Sequence, residues 1–221
     1  MHVIITGAAG ELGRAVVAAF ARLGHSITAI DRAEGPVDGV PTVRTIGVDL
    51  GDPHRARAAI ADQVATHGKI GALVHLVGGF NWIPVMDSTL EDWSALHAVN
   101  IGTTLNAIHA ATPHICAGGS IVCVGAAGAQ PARAGMAPYG AAKAGVARIV
   151  EALSEELKGR KIRVNAVAPA IIDTARNRAD MPDADPADWT SPDAIADVIA
   201  FLAGSSARAI NGALVPVTNN G

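Results

Sequence analysis

Residues 3–14 read Val3-Ile4-Ile5-Thr6-Gly7-Ala8-Ala9-Gly10-Glu11-Leu12-Gly13-Arg14, and this run is the strongest indication of the fold. It combines an apolar strand, glycines at intervals of three, and the start of a helical pattern. Glycines let the backbone approach a pyrophosphate at the helix N-terminus, where free N–H groups and the helix dipole favour anions. A plain strand-to-helix turn is the alternative. We predict phosphate or cofactor contacts at Gly7, Gly10, Glu11, Leu12 and Gly13.

Short apolar runs alternate with helical patterns along the rest of the chain. This alternation predicts an α/β fold, with a parallel sheet and helices on both faces. The predicted strands are residues 3–6, 26–30, 43–47, 72–76, 120–124, 163–168 and 214–217, and the predicted helices are 11–23, 53–67, 90–111, 137–157 and 192–203. Residues 171–190 lack a clear period and are rich in Asp, Pro and Ala, so we interpret them as an irregular substrate lid.

The composition limits the classes of protein that the chain can be. A length of 221 residues fits one domain, 1–221, with a single core. The net charge of -3 argues against a nucleic-acid partner, which requires a basic face. Cys116 and Cys123 do not make a disulfide framework, the eight histidines lack the spacing of metal ligands, and no run is apolar enough to span a membrane. We therefore expect a cytoplasmic protein without a metal.

Two acidic residues follow predicted strands and bear on the choice of cofactor. Asp31 ends the second strand, where a carboxylate accepts hydrogen bonds from both adenosine ribose hydroxyls and repels a 2′-phosphate. This favours NAD(H) over NADP(H), although Arg32 offers a phosphate partner and keeps NADP(H) as an alternative. Asp49, beside Leu50, is placed to meet the adenine ring. The alternative is that Asp49 caps the helix from Pro53.

Tyr139 and Lys143 are four residues apart in a predicted helix. Positions i and i+4 share one helix face, so the Lys143 ammonium is expected beside the Tyr139 phenol. A nearby positive charge lowers the pKa of a phenol, and a tyrosine tuned in this way exchanges a proton near neutral pH. An ordinary amphipathic helix face is the alternative.

Together these motifs resemble the short-chain dehydrogenase/reductases over nearly the whole chain. The resemblance also includes Asn100 and the run 164–169 that leads to Thr174. It implies a Rossmann-like, doubly wound domain with a seven-stranded parallel sheet and a nicotinamide cofactor. It implies Tyr139 as the proton donor, Lys143 as the ribose ligand and Asn100 as the holder of a relay water. The other cofactor contacts that it implies are Val77, Gly78, Gly79, Pro169, Ile172 and Thr174.

The resemblance also implies the partners of the chain. These are a small-molecule substrate and further copies of the chain, in a homodimer or homotetramer that forms through helices 90–111 and 137–157.

Three positions depart from the common family pattern. The middle glycine of the turn lies one position earlier than usual, so that Glu11 takes its place. The usual Asn-Asn-Ala-Gly after the fourth strand is replaced by His75-Leu76-Val77-Gly78-Gly79. The position of the usual catalytic serine, thirteen residues before Tyr139, is Ala126. Because that serine binds the substrate oxygen, its loss removes an oriented donor and argues against ordinary ketone reduction.

The same departures resemble one branch of the family, the quinonoid dihydropteridine reductases. That branch shares the glycine spacing of three, an alanine for the serine, and Tyr-Gly-x-Ala-Lys. Residues 173–190 also resemble its tail, and Gly78-Gly79-Phe80 resembles its Gly-Gly-aromatic loop. We interpret Phe80 as a ring-stacking residue and Ala126 as part of the substrate site. Trp189 is interpreted as a cover for the substrate, with core packing as the alternative.

Three functions remain open at this point. The first is an NADH-dependent reductase of the dihydropteridine-reductase type, in which Tyr139 protonates an electrophilic substrate. The second is a short-chain reductase or dehydrogenase of a small carbonyl or alcohol. The third is a catalytically silent NAD(H)-binding regulatory protein, which Ala126 favours and the Tyr139–Lys143 pair disfavours.

Overall fold

The computed structural model describes residues 1–218, apart from the side chains of residues 41 and 42. The strands are β1 (His2–Thr6), β2 (Ser26–Asp31), β3 (Gly35–Val37), β4 (Val40–Gly47), β5 (Ile70–His75), β6 (Ile115–Val124), β7 (Arg163–Pro169) and β8 (Leu214–Val217). The α-helices are α1 (Glu11–Arg22), α2 (Pro53–His67), α3 (Leu90–His97), α4 (Thr103–Ala111), α5 (Ala137–Glu156), α6 (Ala175–Asp180) and α7 (Pro192–Ala203). Within this described range, no helix is both long and apolar enough to cross a membrane. The end of the predicted domain, residues 219–221, lies outside the described residues.

Residues 1–218 form one sheet of eight strands in the order β3-β4-β2-β1-β5-β6-β7-β8. Every neighbouring pair is parallel except β3 and β4, which form an antiparallel hairpin at one edge. The predicted α/β fold is confirmed, but the predicted count of seven strands is wrong by one. The added strand, β3, has three residues, too few to give an alternating pattern. Among the strands that were predicted, the start of β6 differs most, at Ile115 instead of 120.

Apolar side chains on alternate strand positions form a core on each face of the sheet. In β1, Ile4 contributes to the core that α2, α4 and α5 cover, whereas Val3 and Ile5 contribute to the core under α1 and α7. All three side chains are fully buried. Burial on both faces explains why the central strands are unbroken apolar runs.

The predicted helix 90–111 is interrupted, which is a correction to the sequence analysis. After α3, the backbone forms a π-helical turn over Ala98–Gly102 before α4 begins. The Thr103 hydroxyl donates to the Val99 carbonyl at 2.7 Å, and the Thr104 hydroxyl donates to the Asn100 carbonyl at 2.6 Å. Such bonds from threonine to the preceding turn bend helices, and π-helical turns are frequent at functional sites.

The segment 171–190 is more regular than predicted, because it contains α6 and a short 3₁₀ turn at Pro186–Asp188. Thr174 caps α6 by accepting from the Asn177 N–H at 3.1 Å. A parallel bridge between Ile172 and Thr190 joins the two ends of the segment. The polar residues that led to the prediction of an irregular lid therefore form the cap and the ion pairs of a short helix.

Candidate active site

The glycine turn between β1 and α1 is closed by direct backbone contact. Gly7 has a φ of 71°, a backbone conformation that residues with a side chain rarely adopt. The Gly10 N–H donates to the Gly7 carbonyl at 3.2 Å. A Cβ on Gly13 would lie 2.1 Å from that same carbonyl oxygen, so only glycine fits there. In this part of the described chain no side chain caps the N-terminus of α1. The first N–H groups of α1 are therefore available to an anion.

A cleft of about 440 Å³ lies next to this turn, at the carboxyl ends of the central strands. Eight of the residues that the sequence analysis assigned to the cofactor line it: Gly7, Gly10, Asp31, Arg32, Asp49, Leu50, Val77 and Gly78. Five other lining residues were not predicted from the sequence: Ala9, Val48, Leu76, Val99 and Thr103. Ala9, Val48 and Leu76 adjoin predicted residues and could have been included. Val99 lies in the π-helical turn and Thr103 directly follows it, and no pattern in the sequence indicates that turn.

Asp31 holds its carboxylate at the wall of the cleft through two backbone hydrogen bonds. The Ala9 N–H donates to Oδ2 at 2.9 Å, and the Arg32 N–H donates to Oδ1 at 2.7 Å. Since a carboxylate oxygen has two lone pairs, both oxygens can accept a further hydrogen bond. Asp49 also lines the cleft, and the alternative role as a helix cap is wrong for it because Asp52 caps α2.

These residues fit a dinucleotide. The glycine turn leaves no room for side chains where phosphates would approach, and Asp31 offers acceptors for ribose hydroxyls. Val48 and Leu50 are apolar neighbours of Asp49 on the cleft wall, as an adenine ring requires. Among the described residues, no three His, Cys, Asp or Glu side chains are grouped so that they could hold a metal ion.

Lys143 and Asn100 meet at Gly78. The Lys143 side chain is buried and donates from Nζ to the Val124 carbonyl at 2.9 Å. Asn100 is fully buried in the π-helical turn, where its Oδ1 accepts from the Gly79 N–H at 3.2 Å. A Cβ on Gly78 would lie 2.8 Å from Asn100 Oδ1 and 3.0 Å from Lys143 Nζ. The absence of a side chain at residue 78 is therefore what lets the two polar groups come together.

Tyr139 lies one helical turn before Lys143 in α5, with its ring centroid 6.0 Å from Nζ. Burial raises the pKa of Tyr139 to about 12, and burial lowers the pKa of Lys143 to about 8. The predicted lowering of the Tyr139 pKa is thus wrong for the protein without cofactor, because burial disfavours the charged phenolate. At neutral pH the phenol is protonated and is in the form that donates a proton.

An aromatic ring packs against Tyr139. The Phe80 ring contacts the Tyr139 ring edge-on, with centroids 4.9 Å apart and an interplanar angle of 86°. Ala126, which is half-buried, has no hydroxyl to offer. Trp189 is only 7% exposed, which agrees with the alternative of core packing, and its role over the substrate stays a prediction.

Apart from Tyr139 and Lys143, seven further predicted cofactor residues are not part of the cleft lining. They are Glu11, Leu12, Gly13, Gly79, Pro169, Ile172 and Thr174. The Glu11 carboxylate accepts from the Ala175 N–H at 2.9 Å, which joins the glycine turn to the start of α6. The Pro169 carbonyl accepts from the Ala127 N–H at 2.9 Å and so joins β7 to the loop of Ala126. Cofactor contact by these residues stays a prediction.

Comparison with known proteins identifies the family of the chain. Residues 7–219 match the family model described as Enoyl-(Acyl carrier protein) reductase. This chain belongs to the short-chain dehydrogenase/reductase family. It is 30% identical to D-threitol dehydrogenase of Mycolicibacterium smegmatis, over 95% of this chain and 88% of that protein. It is 29% identical to the 3-oxoacyl-[acyl-carrier-protein] reductase FabG of Thermotoga maritima, over 97% and 94% respectively.

A solved structure described as a short-chain dehydrogenase/reductase, glucose/ribitol dehydrogenase, from Brucella melitensis has the same fold. Its TM-score is 0.89 at 27% sequence identity, and the match covers 100% of this chain and 95% of that chain. The predicted family and Rossmann-like fold are therefore confirmed. The short-chain dehydrogenase/reductase is an oxidoreductase of a family that uses NAD(P), which counts against a silent binding protein. The comparisons do not single out the dihydropteridine reductase branch.

Proposed function

We propose that this short-chain dehydrogenase/reductase is an NADH-dependent reductase of an electrophilic, ring-shaped small molecule of the quinonoid dihydropterin type. The observation that carries this proposal is the pairing of Ala126 with the edge-on contact between Phe80 and Tyr139. A quinonoid ring is already strongly electrophilic, so it depends less on a hydroxyl that polarises its oxygen. The Phe80 ring offers such a substrate an apolar surface beside the proton donor.

The preference for NADH rests on Asp31. Two backbone N–H groups fix its carboxylate, which leaves acceptor positions for the hydroxyls of an adenosine ribose. A 2′-phosphate at the same place would meet a fixed negative charge. Arg32 is exposed on the same cleft and keeps NADP(H) as the alternative cofactor.

The proton-transfer step rests on three side chains. A bound nicotinamide supplies the hydride. Tyr139, neutral at neutral pH, donates the proton to the substrate, and the charge of Lys143 stabilises the phenolate that is left. Asn100 is held in place by hydrogen bonds to Gly79 and Leu96, so that it can hold a water of the relay that returns the proton.

Segment 171–190 is proposed to close over the substrate. The bidentate ion pair between Asp173 and Arg178 and the cap from Thr174 stabilise α6, and Glu11 ties the start of that helix to the glycine turn. Any cofactor bound at the glycine turn would therefore lie close to the residues that hold the lid.

A homodimer or homotetramer is proposed through the groove between α3, α4 and α5. This groove measures about 400 Å³ and is mostly apolar. Its lining residues are Trp93, His97, Ile101, Leu105, Pro138, Ala141, Ala142, Gly145 and Ile149. Ala141→Arg places a charge at an exposed position of the groove, and light scattering should then report a smaller particle.

A cytoplasmic location is part of the proposal, since NADH is an intracellular cofactor and Cys116 and Cys123 are free thiols.

The second candidate function is oxidation or reduction of a small alcohol or carbonyl. The names of the D-threitol dehydrogenase and FabG relatives favour it. In that case a backbone N–H or a water would have to polarise the substrate oxygen in place of the hydroxyl that Ala126 lacks.

NADH oxidation with freshly generated quinonoid dihydropterin, compared with small ketones, separates the two candidates. The proposal predicts saturable turnover of the pterin and little change when Ala126→Ser restores the hydroxyl. If turnover occurs only with ketones and rises about 100-fold in Ala126→Ser, the second candidate is correct and the pterin proposal is refuted.

A further inference from the structure

A buried histidine adjoins the residues that line the cofactor cleft. His75 ends β5, is 2% exposed, and lies between two buried threonine hydroxyls. The Thr6 oxygen is 2.8 Å from Nδ1, and the Thr103 oxygen is 3.4 Å from Nε2. The proposed hydride and proton transfers make no use of this ring.

The hydrogen bonds of the two threonines define the tautomer of His75. Thr103 has one hydroxyl proton, which it donates to the Val99 carbonyl at 2.7 Å, so toward Nε2 its oxygen can only accept. Nε2 therefore carries the proton, and Nδ1 accepts from the Thr6 hydroxyl. Burial, with a smaller contribution from the charge of Lys143, lowers the pKa of His75 to about 3, so the ring is neutral at neutral pH.

The two threonines connect to different parts of the cleft lining. Thr6 precedes the glycine turn, and a Cβ on Gly7 would lie 3.1 Å from the Val77 nitrogen, so this turn packs directly on the loop after β5. Thr103 lines the cleft together with Val99 from the π-helical turn. The His75 ring thus forms a polar connection between the residue before the glycine turn and the residue after the π-helical turn.

We propose that His75 is a positioning residue for cofactor binding. In its Nε2–H tautomer it holds Thr6 and Thr103 together, and it thereby keeps the glycine turn and the π-helical turn at the separation that the dinucleotide needs. A cleft that is already ordered binds more tightly, because less conformational freedom is lost on binding. This inference rests on the proposed cofactor cleft.

Three substitutions of His75 test its two hydrogen bonds separately. His75→Phe keeps a ring of similar size and removes both bonds. His75→Asn keeps an acceptor near the position of Nδ1 for Thr6, whereas His75→Gln keeps a donor near the position of Nε2 for Thr103. The matched control is His2→Phe. His2 is 5% exposed and is bonded to Thr28 at 2.9 Å and to the Gly68 carbonyl at 3.1 Å, at the amino end of β1 and away from the cleft.

Fluorescence titration then measures the dissociation constant for NADH. We expect His75→Phe to raise it about tenfold, while kcat at saturating NADH changes far less. The Asn and Gln variants should each recover part of the affinity. His2→Phe should lower the thermal stability and leave the dissociation constant unchanged. Wild-type affinity in folded His75→Phe, or an equal loss of affinity in His2→Phe, would overturn the positioning role.

The tautomer is measured independently, on the wild-type protein without cofactor. A ¹H–¹⁵N long-range NMR spectrum should show His75 with Nε2 protonated and Nδ1 unprotonated at pH 7. A proton on Nδ1 would overturn the proposed hydrogen bonds from Thr6 through His75 to Thr103. This result does not depend on whether His75→Phe folds. A wild-type protein that shows this tautomer but binds neither NADH nor NADPH overturns the cofactor cleft, and the positioning role with it.

Discussion

Gly78→Ala tests how closely the proton-transfer groups are packed. The added Cβ would lie 2.8 Å from Asn100 Oδ1 and 3.0 Å from Lys143 Nζ. Because non-bonded carbon contacts are most favourable at about 3.5 Å or more, one or both polar groups must move by roughly 0.5 Å. A misplacement of about 1 Å costs on the order of 100-fold in rate. We therefore expect kcat to fall about 10- to 100-fold.

The assay is steady-state NADH oxidation, with NADH binding measured separately by fluorescence. Gly102→Ala is the matched control. Gly102 lies in the same π-helical turn as Asn100, has a helical φ of -58°, and has open space where a Cβ would be built. This variant should fold and turn over like the wild type. Wild-type kcat in Gly78→Ala would refute the inference that Lys143 and Asn100 need a glycine between them.

Three further predictions follow from the cleft. Asp31→Ala should raise the ratio of kcat/KM for NADPH to kcat/KM for NADH at least about tenfold, since a fixed negative charge is removed. An unchanged ratio would contradict the role of that carboxylate. Glu11→Ala should increase the hydrogen-exchange rate of the Ala175 amide several-fold, whereas Glu11→Gln keeps an acceptor and should not; equal rates in both variants would mean that this contact does not hold α6. Because Tyr139 is the only tyrosine, its absorbance reports one pKa, and raising the pH to about 10.5 should leave it almost wholly protonated. Half-ionisation of Tyr139 near pH 10 would show that burial does not control its pKa.

The sequence predicted the parts of the site that have a local signal. The glycine spacing located the turn, and Asp31 was recognised because a carboxylate that ends the second strand has a specific role in this fold. The short strand β3 was missed, although Asp38-Gly39 before Val40 is a recognisable hairpin signal.

Other features depend on tertiary structure and leave no clear pattern in the sequence. The π-helical turn at Ala98–Gly102 interrupts a run that reads as one helix, so Thr103 could not be assigned to the cleft. The pKa of Tyr139 was predicted from the charge of Lys143 alone. Its direction is set by burial, which depends on residues distant in the sequence, such as Phe80.

The most direct test of the central claim is the turnover of Tyr139→Phe. This substitution removes a single oxygen, so the ring contact with Phe80 is kept and the protein should fold. We expect NADH to bind as in the wild type and kcat to fall about 100- to 10,000-fold, the range that general acid catalysis supplies. Wild-type kcat in this variant, with NADH still bound, would contradict the assignment of Tyr139 as the proton donor.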